Sequence, residues 1–122
     1  MNLRSDSVET ILQRLTDLDD IIGAIVVGKD GLIVTGTLHS EDEEVIGAMS
    51  AAAFGSMTNF IAQMNSSSIR HVIIETENGI IQIEEVSDLI LVVTTQAASN
   101  LGRVRLEMKK ACRQISQLVA SY

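Results

Sequence analysis

The sequence predicts an α+β domain built around one five-stranded antiparallel sheet. Its 122 residues match the size of one domain, and 46% of them are hydrophobic, enough to bury a core without metal ions or disulfides. Apolar patterns follow one another in the order helix, strand, strand, helix, three strands, helix, which lacks the regular βαβ alternation of a parallel sheet. We expect residues 1–122 to form one α-β-β-α-β-β-β-α domain, with the middle helix on one face of the sheet and the first and last helices on the other.

The first helix and the first hairpin have clear local signals. Apolar residues recur at intervals of three and four from Val8 to Leu18, which predicts a helix. Asp6 and Glu9 have the spacing of a capping box at its N-terminus. Two β-branched runs follow, separated by Asp30-Gly31, and this dipeptide predicts a tight hairpin because both turn positions tolerate positive φ.

The middle helix is predicted to begin after an N-cap at Ser40 and to end near Met64. From Val45 to Ile69 the chain carries no charge. This run is long enough to cross a bilayer, but Ser, Thr, Asn and Gln interrupt it, so we expect a helix covered by protein and no stable membrane insertion. The acidic residues before it suit the positive end of the helix dipole. They are Glu41, Asp42, Glu43 and Glu44.

Three strands and a final helix complete the domain. Asn78-Gly79 and Ser87-Asp88 predict the tight turns of an antiparallel meander. The five predicted strands span residues 22–28, 32–37, 69–76, 79–86 and 89–95. The last helix begins near Ser99 or Asn100 and has one apolar side. Its other side carries Arg103, Arg105, Lys109, Lys110 and Arg113.

The middle helix lacks the charged face of an ordinary surface helix. We expect its larger apolar face to lie on the sheet, through Val45, Met49, Ala52, Ala53, Ser56, Met57, Phe60 and Met64. Small residues form two rows, with Gly47, Ala51 and Gly55 in one and Ala48, Ala52 and Ser56 in the next. An uncharged second face in a chain of net charge −7 needs a cover, and the commonest cover is a second copy of the chain.

The third strand supports dimerisation. Residues 69–76 are apolar at the centre and contain no proline, so at a sheet edge this strand is an open template for pairing with another chain. A two-fold axis there continues the sheet and brings the middle helices side by side. The predicted dimer interface consists of Gly47, Ala48, Ala51, Ala52, Gly55, Ser56, Asn59, Arg70, Val72 and Ile74.

The titratable residues form no pattern of catalysis or metal binding. His39 and His71 have no second His or Cys nearby in sequence, and Cys112 lies on the apolar stripe of the last helix, where core packing is the usual role. The glycines of the first hairpin lack the lysine spacing of a phosphate-binding loop. We expect no catalytic residue, cofactor or metal site in this chain.

Charge and cysteine content restrict the partners and the compartment. Residues 1–98 carry 15 acidic and 4 basic side chains, whereas residues 99–122 carry 1 acidic and 5 basic ones. The overall acidity argues against a nucleic-acid binder. A single cysteine, and an N-terminus without the basic head and apolar run of a secretory signal, favour the cytoplasm.

The chain resembles the roadblock/dynein light chain domain family. The likeness rests on the first hairpin at residues 23–34, on the alanine-rich middle helix, and on residues 89–95 followed by Asn100-Leu101-Gly102. It implies the profilin-like layout of this family, a homodimer or a heterodimer with another roadblock chain, and a small Ras-like GTPase as partner, with stimulation of GTP hydrolysis as a further role. Ala48, Ala51 and Arg70 are then candidate GTPase contacts.

Alternatives from other classes stay open on the sequence. A small-molecule sensor domain of the PAS or GAF type also surrounds an antiparallel sheet with helices, although this chain has few aromatic residues to line a pocket. A membrane-surface protein that uses the basic last helix is another alternative, beside the plain interpretation of that face as a solvated surface. Arg70 and the last-helix arginines are the candidates for an arginine finger, although exposed arginines usually only solvate a surface.

Overall fold

A computed structural model describes residues 3–38 and 41–120, with side chains from Ser7 onward. The helices are α1 (Leu3–Thr16), α2 (Glu43–Asn65) and α3 (Leu101–Ala120). The strands are β1 (Ile21–Gly28), β2 (Ile33–Gly36), β3 (Val72–Thr76), β4 (Gly79–Val86) and β5 (Leu89–Thr95). The predicted order of elements is confirmed.

All five strands form one antiparallel sheet in the order β2-β1-β5-β4-β3. At its centre, Val26 of β1 lies opposite Leu91 of β5. Farther along, Ile83 of β4 lies opposite Val92 of β5 on one side and Val72 of β3 on the other. The edges of the sheet are β2 and β3. The dimer hypothesis requires β3 at an edge, and it lies at one.

The alternation of side chains along β1 separates two cores. Ala24 and Val26 join the cluster that α1 and α3 form on one face of the sheet. Ile25 and Val27 join a second cluster around Phe54 of α2 on the other face. The predicted distribution of the helices over the two faces is therefore confirmed.

The first helix begins and ends earlier than predicted. It starts at Leu3, so Asp6 lies inside the helix and the predicted capping box with Glu9 is wrong. No glycine or proline in the first turn stops the helix from extending in this direction. At the other end the helix stops at Thr16, and Leu18 lies in the turn that leads to β1.

The start of α2 also differs from the prediction. The helix begins at Glu43, and Asp42 occupies the N-cap without a capping hydrogen bond from its side chain. The predicted N-cap, Ser40, lies outside the described residues, as does His39. The Glu43 carboxylate accepts the backbone N–H of Leu38 at 3.1 Å, which ties the first turn of α2 to the segment after β2.

The inner strands β4 and β5 have their predicted bounds, whereas both edge strands are shorter than predicted. The third strand begins at Val72 instead of residue 69. Just before it, the His71 side chain is buried and hydrogen-bonds to the side chains of Glu84 and Gln82 in β4. These side-chain contacts hold residue 71 in place of the backbone hydrogen bonds of a strand.

Candidate protein-interaction surface

The helix α2 approaches its own sheet through small residues. Its two buried residues, Gly47 and Phe54, face the sheet. A Cβ added to Gly47 would lie 2.7 Å from Cγ1 of Ile33 and 3.2 Å from Cγ2 of Val27, closer than side chains normally pack. Glycine therefore lets the helix backbone approach β1 and β2. The expectation that Gly47 belongs to a dimer interface is wrong, because the chain's own sheet covers it.

Four large apolar side chains of α2 point away from the sheet. Val45, Met49, Phe60 and Met64 are each between 57% and 67% exposed. They follow one another at intervals of four, eleven and four residues, which are close to whole turns, so they share one face of the helix. With the exposed small residues between them they form the α2 stripe, which consists of Val45, Met49, Ala52, Ala53, Ser56, Phe60 and Met64.

This arrangement corrects the predicted assignment of the helix faces. Of the residues expected on the sheet, Met57 packs there half-buried, and the others form the exposed α2 stripe. The difference amounts to about one residue of rotation, or roughly 100°. At Gly47 the side chains of Ile33 and Val27 leave room for no Cβ, and this close approach sets the rotation at which Phe54 and Met57 face the sheet.

The predicted interface omitted Val45, Met49, Phe60 and Met64, which are the most exposed large side chains of the helix. Their spacing was a readable signal in the sequence, because it marks one continuous apolar face. Spacing alone does not tell whether such a face meets the chain's own sheet or a partner, and here neither face carries a charge that would decide it.

Most of the predicted small-residue interface is accessible. Its exposed members on α2 are Ala48, Ala52, Gly55, Ser56 and Asn59. Ala51 is half-buried. Nothing lies within 4 Å of a Cβ added to Gly55, so another chain has room to approach the helix backbone at that point.

The edge strand β3 exposes apolar side chains on both of its faces. Val72 packs half-buried against the cluster around Phe54, and Ile74, on the same face, is 38% exposed. Ile73 points to the opposite face and is 42% exposed. Among the described residues, β3 pairs with β4 alone. Its outer edge therefore offers N–H and C=O groups to another strand.

An apolar cleft of about 290 Å³ opens between α2 and the sheet. The helix packs on β1 and β2, where Gly47 lies against Ile33, and Ile61 near its other end borders a recess that residues 67–71 also line. The cleft is lined mainly by apolar side chains, among them Ile25, Leu38, Ile46, Ile81 and Val92. The α2 side of the sheet is thus incompletely covered by its own helix.

The candidate GTPase contacts lie far apart in one chain. Ala48 is near the start of α2, beside Gly31 of the first hairpin turn, whereas Arg70 follows the end of the helix. From Ala48 to the end of α2 at Asn65, the helix rises about 25 Å. Arg70 is exposed and has no ion pair with a described residue. One partner contacts both positions only if it spans most of α2.

The single thiol is part of a buried polar cluster under α3. Cys112 lies beside Glu84 of β4, whose carboxylate also contacts His71 at 2.9 Å. Burial first, and then the hydrogen bond to Glu84 and the charge of that carboxylate, raise the pKa of the Cys112 thiol. A thiol that stays protonated is a poor nucleophile. Within residues 3–38 and 41–120, no group of three His, Cys, Asp or Glu side chains is arranged to hold a metal ion.

By length and composition α2 is also long and apolar enough to cross a membrane, as many core helices of soluble proteins are. Its outward surface mixes large apolar side chains with Ser56, Asn59 and other polar residues, a composition that suits a protein partner better than lipid.

Comparison with known proteins agrees with this fold. A family model described as the Roadblock/LC7 domain matches residues 7–95. The uncharacterized protein MJ1340 of Methanocaldococcus jannaschii is 37% identical over 112 residues, which cover 91% of this chain and 98% of that protein. MglB of Myxococcus xanthus aligns with a TM-score of 0.91 at 18% identity, over 99% of this chain and 93% of that chain. Profilin IB of Acanthamoeba castellanii aligns with a TM-score of 0.68 at 15% identity, over 91% and 98% of the two chains.

At 18% and 15% identity, the likeness to the two solved structures is a likeness of fold, and it confirms the profilin-like α+β layout. The family model extends from α1 to the end of β5, which is most of the chain. On the strength of that match, the chain belongs to the Roadblock/LC7 domain family.

Proposed function

We propose that this protein is a dimeric cytoplasmic adaptor that binds a small Ras-like GTPase and has no active site of its own. The observation that carries the proposal is the α2 stripe, a row of large apolar side chains exposed along a 23-residue helix. A contiguous exposed apolar surface marks an interaction site in most soluble proteins. The Roadblock/LC7 family agrees with this role, because the family resemblance implies Ras-like GTPases as partners. The matched model and structures give no support to the sensor alternative.

In the proposed dimer, β3 pairs with β3 of a second copy and joins the two sheets. Because the two-fold axis of an antiparallel strand pair is perpendicular to the sheet, both α2 helices lie on the same face. Their C-terminal halves approach each other there, since Ile61 is already close to the edge strand. Phe60 and Met64 then become buried between the copies, above Val72 and Ile74. A different roadblock chain is the alternative partner in the same geometry.

The GTPase is proposed to lie across the paired helices. With the C-terminal halves of both helices at the axis, each Arg70 lies near the centre of the joined surface, and Ala48 and Ala51 of each copy lie toward its outer end, beside β2. A GTPase that contacts both sites therefore spans the length of one α2. Such an adaptor affects hydrolysis by ordering the switch loops, so that the GTPase's own residues act on the nucleotide. Arg70 is the candidate side chain for direct stabilisation of the negative charge that develops on the phosphate during hydrolysis.

Light scattering at micromolar concentration tests the dimer. The expected mass is twice the 13.2 kDa of one chain. Ala52→Glu places a charge in the α2 stripe and is expected to give a folded monomer with an unchanged circular dichroism spectrum. Asn78→Asp, in an exposed turn outside the interface, is the control and stays dimeric. A wild-type mass of 13.2 kDa with no second roadblock chain bound would remove the basis of the proposal.

Binding to a Ras-like GTPase from the same organism, loaded with GTP or GDP, tests the partner. We expect wild-type protein to bind and Ala52→Glu to lose binding. Arg70→Ala and Arg70→Lys separate the two modes of regulation. If Arg70 acts as an arginine finger, both variants lose the stimulation of GTP hydrolysis but still bind the GTPase. If the protein acts only by ordering the switch loops, both variants keep most of the stimulation. Equal binding by wild type and Ala52→Glu would place the GTPase on another surface.

A further inference from the structure

The last helix presents a basic face to solvent. Its exposed basic residues are Arg103, Arg105, Lys109, Lys110 and Arg113. They extend over about 15 Å of the helix and surround Leu106, which is 51% exposed. Of these five cations, Lys110 alone forms an ion pair within the described part of the chain, with Glu107 at 3.4 Å. The other four form no ion pair with a described residue.

This basic α3 face, defined by those five side chains and Leu106, is separate from the α2 stripe. The apolar stripe of α3 is buried against α1 and the sheet, through Val104, Met108, Ala111, Cys112 and Ile115. Its outer side therefore points away from the face that α2 occupies, except at Arg105, which shares a recess with Arg70 and with Ile61 of α2. The family model ends at residue 95, so the basic α3 face lies outside the matched segment.

Two surface recesses border the basic α3 face. Arg105 shares one, of about 340 Å³, with Arg70 and the hydroxyls of Ser67 and Ser68. Guanidinium and hydroxyl groups in one open recess are the donors that phosphate oxygens accept.

Lys109 and Arg113 share the second recess, of about 480 Å³, with Ser87 and Ser116. The two carboxylates in its lining already have partners, because Glu84 contacts His71 and Glu85 contacts Lys29. Lys109 and Arg113 form no ion pair with a described residue.

We propose that the basic α3 face docks this protein onto an anionic membrane surface, as a peripheral contact that inserts no helix. Charge complementarity carries the assignment: residues 99–122 hold five basic side chains and one acidic one, in a chain whose net charge is −7. Lipid headgroups supply phosphates over an area as long as the helix, and Leu106 lies where a single apolar side chain reaches between them. A nucleic-acid site of this size would rely on stacking aromatics or a groove-entering helix, and here the helix is packed on the sheet with no aromatic among its described residues.

The proposed dimer strengthens this contact, and only that strengthening rests on the proposed function. A two-fold axis perpendicular to the sheet puts both α3 helices on the same side, opposite the paired α2 helices. The dimer then has a membrane face and a GTPase face, and two basic α3 faces bind one bilayer with a higher apparent affinity than one.

Cosedimentation with vesicles tests the proposal. Full-length protein is incubated with vesicles of phosphatidylcholine alone, or of equal parts phosphatidylcholine and phosphatidylserine. We expect binding to the anionic vesicles at low salt, release in molar salt, and no binding to the neutral ones. Arg105→Gln/Lys109→Gln is expected to bind about thirtyfold more weakly, since each cation near the surface contributes about fivefold. Asn78→Asp/Gln96→Glu has the same change in net charge at exposed turns and serves as the matched control, with binding close to that of wild type.

Several outcomes overturn the assignment. Equal binding to both kinds of vesicle points to apolar insertion, and equal loss in the matched control points to net charge alone. Binding of heparin or polyglutamate without binding of anionic vesicles replaces the membrane with an acidic macromolecule. The Ala52→Glu monomer separates the two proposals, because one basic α3 face still binds anionic vesicles, more weakly than the dimer. If the protein does not dimerise, binding of the monomer to anionic vesicles still tests the membrane proposal.

Discussion

Nδ1 of His71 lies 2.9 Å from a carboxylate oxygen of Glu84, and both side chains are buried. His71 precedes the edge strand β3, whereas Glu84 belongs to β4, so this contact fastens the start of the edge strand to its neighbour. Nε2 of the same ring lies 2.6 Å from Oε1 of Gln82, which is fully buried. A polar contact inside the domain thus fixes the position of the strand that we propose to pair across the dimer.

Removing one member of this pair should destabilise the fold. His71→Leu leaves the Glu84 carboxylate buried without its histidine partner, and we expect the free energy of unfolding to fall by about 3–5 kcal/mol. The double variant His71→Leu/Glu84→Leu removes the carboxylate together with its partner and should recover part of that loss, because Oε1 of buried Gln82 still lacks the His71 ring. Urea unfolding of His71→Leu, Glu84→Leu and the double variant checks the prediction. If the losses of the two single variants simply add in the double variant, the two side chains are not coupled.

The Cys112 thiol should resist alkylation in the folded protein. Its raised pKa and its burial keep it protonated and inaccessible, so reaction with iodoacetamide at pH 8 is expected to be at least about a hundredfold slower than after denaturation. Mass spectrometry over time follows the reaction. A folded protein that is alkylated as fast as the denatured one would show that this part of α3 opens readily.

The same thiol should make stability depend on alkaline pH. In the unfolded chain the thiol loses its proton near its ordinary pKa of about 8.5, whereas the fold keeps it protonated. The unfolded state then binds fewer protons, so stability is fully present below that pH and falls as pH rises above it. Unfolding measured between neutral pH and pH 10 should show this slope in wild type and a reduced one in Cys112→Val. Identical slopes in wild type and Cys112→Val would mean that other titratable groups cause the loss of stability at alkaline pH.

Two glycines of α2 should respond oppositely to alanine. Gly47→Ala brings a methyl group to 2.7 Å from Ile33 and is expected to lower the free energy of unfolding by about 1 kcal/mol or more, despite the better helix propensity of alanine. Gly55→Ala meets nothing within 4 Å and should raise it by about 0.5–1 kcal/mol. Both are measured in the Ala52→Glu background, so that dimerisation does not contribute. Changes of equal sign would contradict the assigned orientation of α2.

A charge on the edge strand should weaken the proposed dimer without unfolding the chain. Ile74 is 38% exposed, so Ile74→Lys adds a solvated charge to each copy, and the two charges meet across the strand pair. We expect the dimer dissociation constant to rise at least about tenfold. Sedimentation equilibrium measures it. Asn78→Lys, in the turn beyond the strand, is the control and should dimerise like wild type.

Local turn and strand signals were sufficient for the inner part of the sheet. Asn78-Gly79 and Ser87-Asp88 set the ends of β4 and β5, and both strands have the predicted bounds. The edge was less predictable, because His71 contacts residues 11 and 13 positions away in sequence, and no local pattern contains that information. The predicted start of α2 was wrong for a similar reason. The Glu43 carboxylate accepts a hydrogen bond from the Leu38 backbone N–H, and this contact is not part of a capping pattern.

By itself, the sequence determined the fold class, the order of the eight elements and the presence of an uncharged helix that needs a cover, because periodicity and turn chemistry act over a few residues. Only the tertiary structure decided which face of that helix is free. Gly47 fits against Ile33 and Val27 where a larger residue would clash, and this close approach turns Val45, Met49, Phe60 and Met64 outward. The physical reason is packing: the volume available beneath α2 is set by side chains of strands distant in sequence, so the rotation of the helix follows from the assembled sheet.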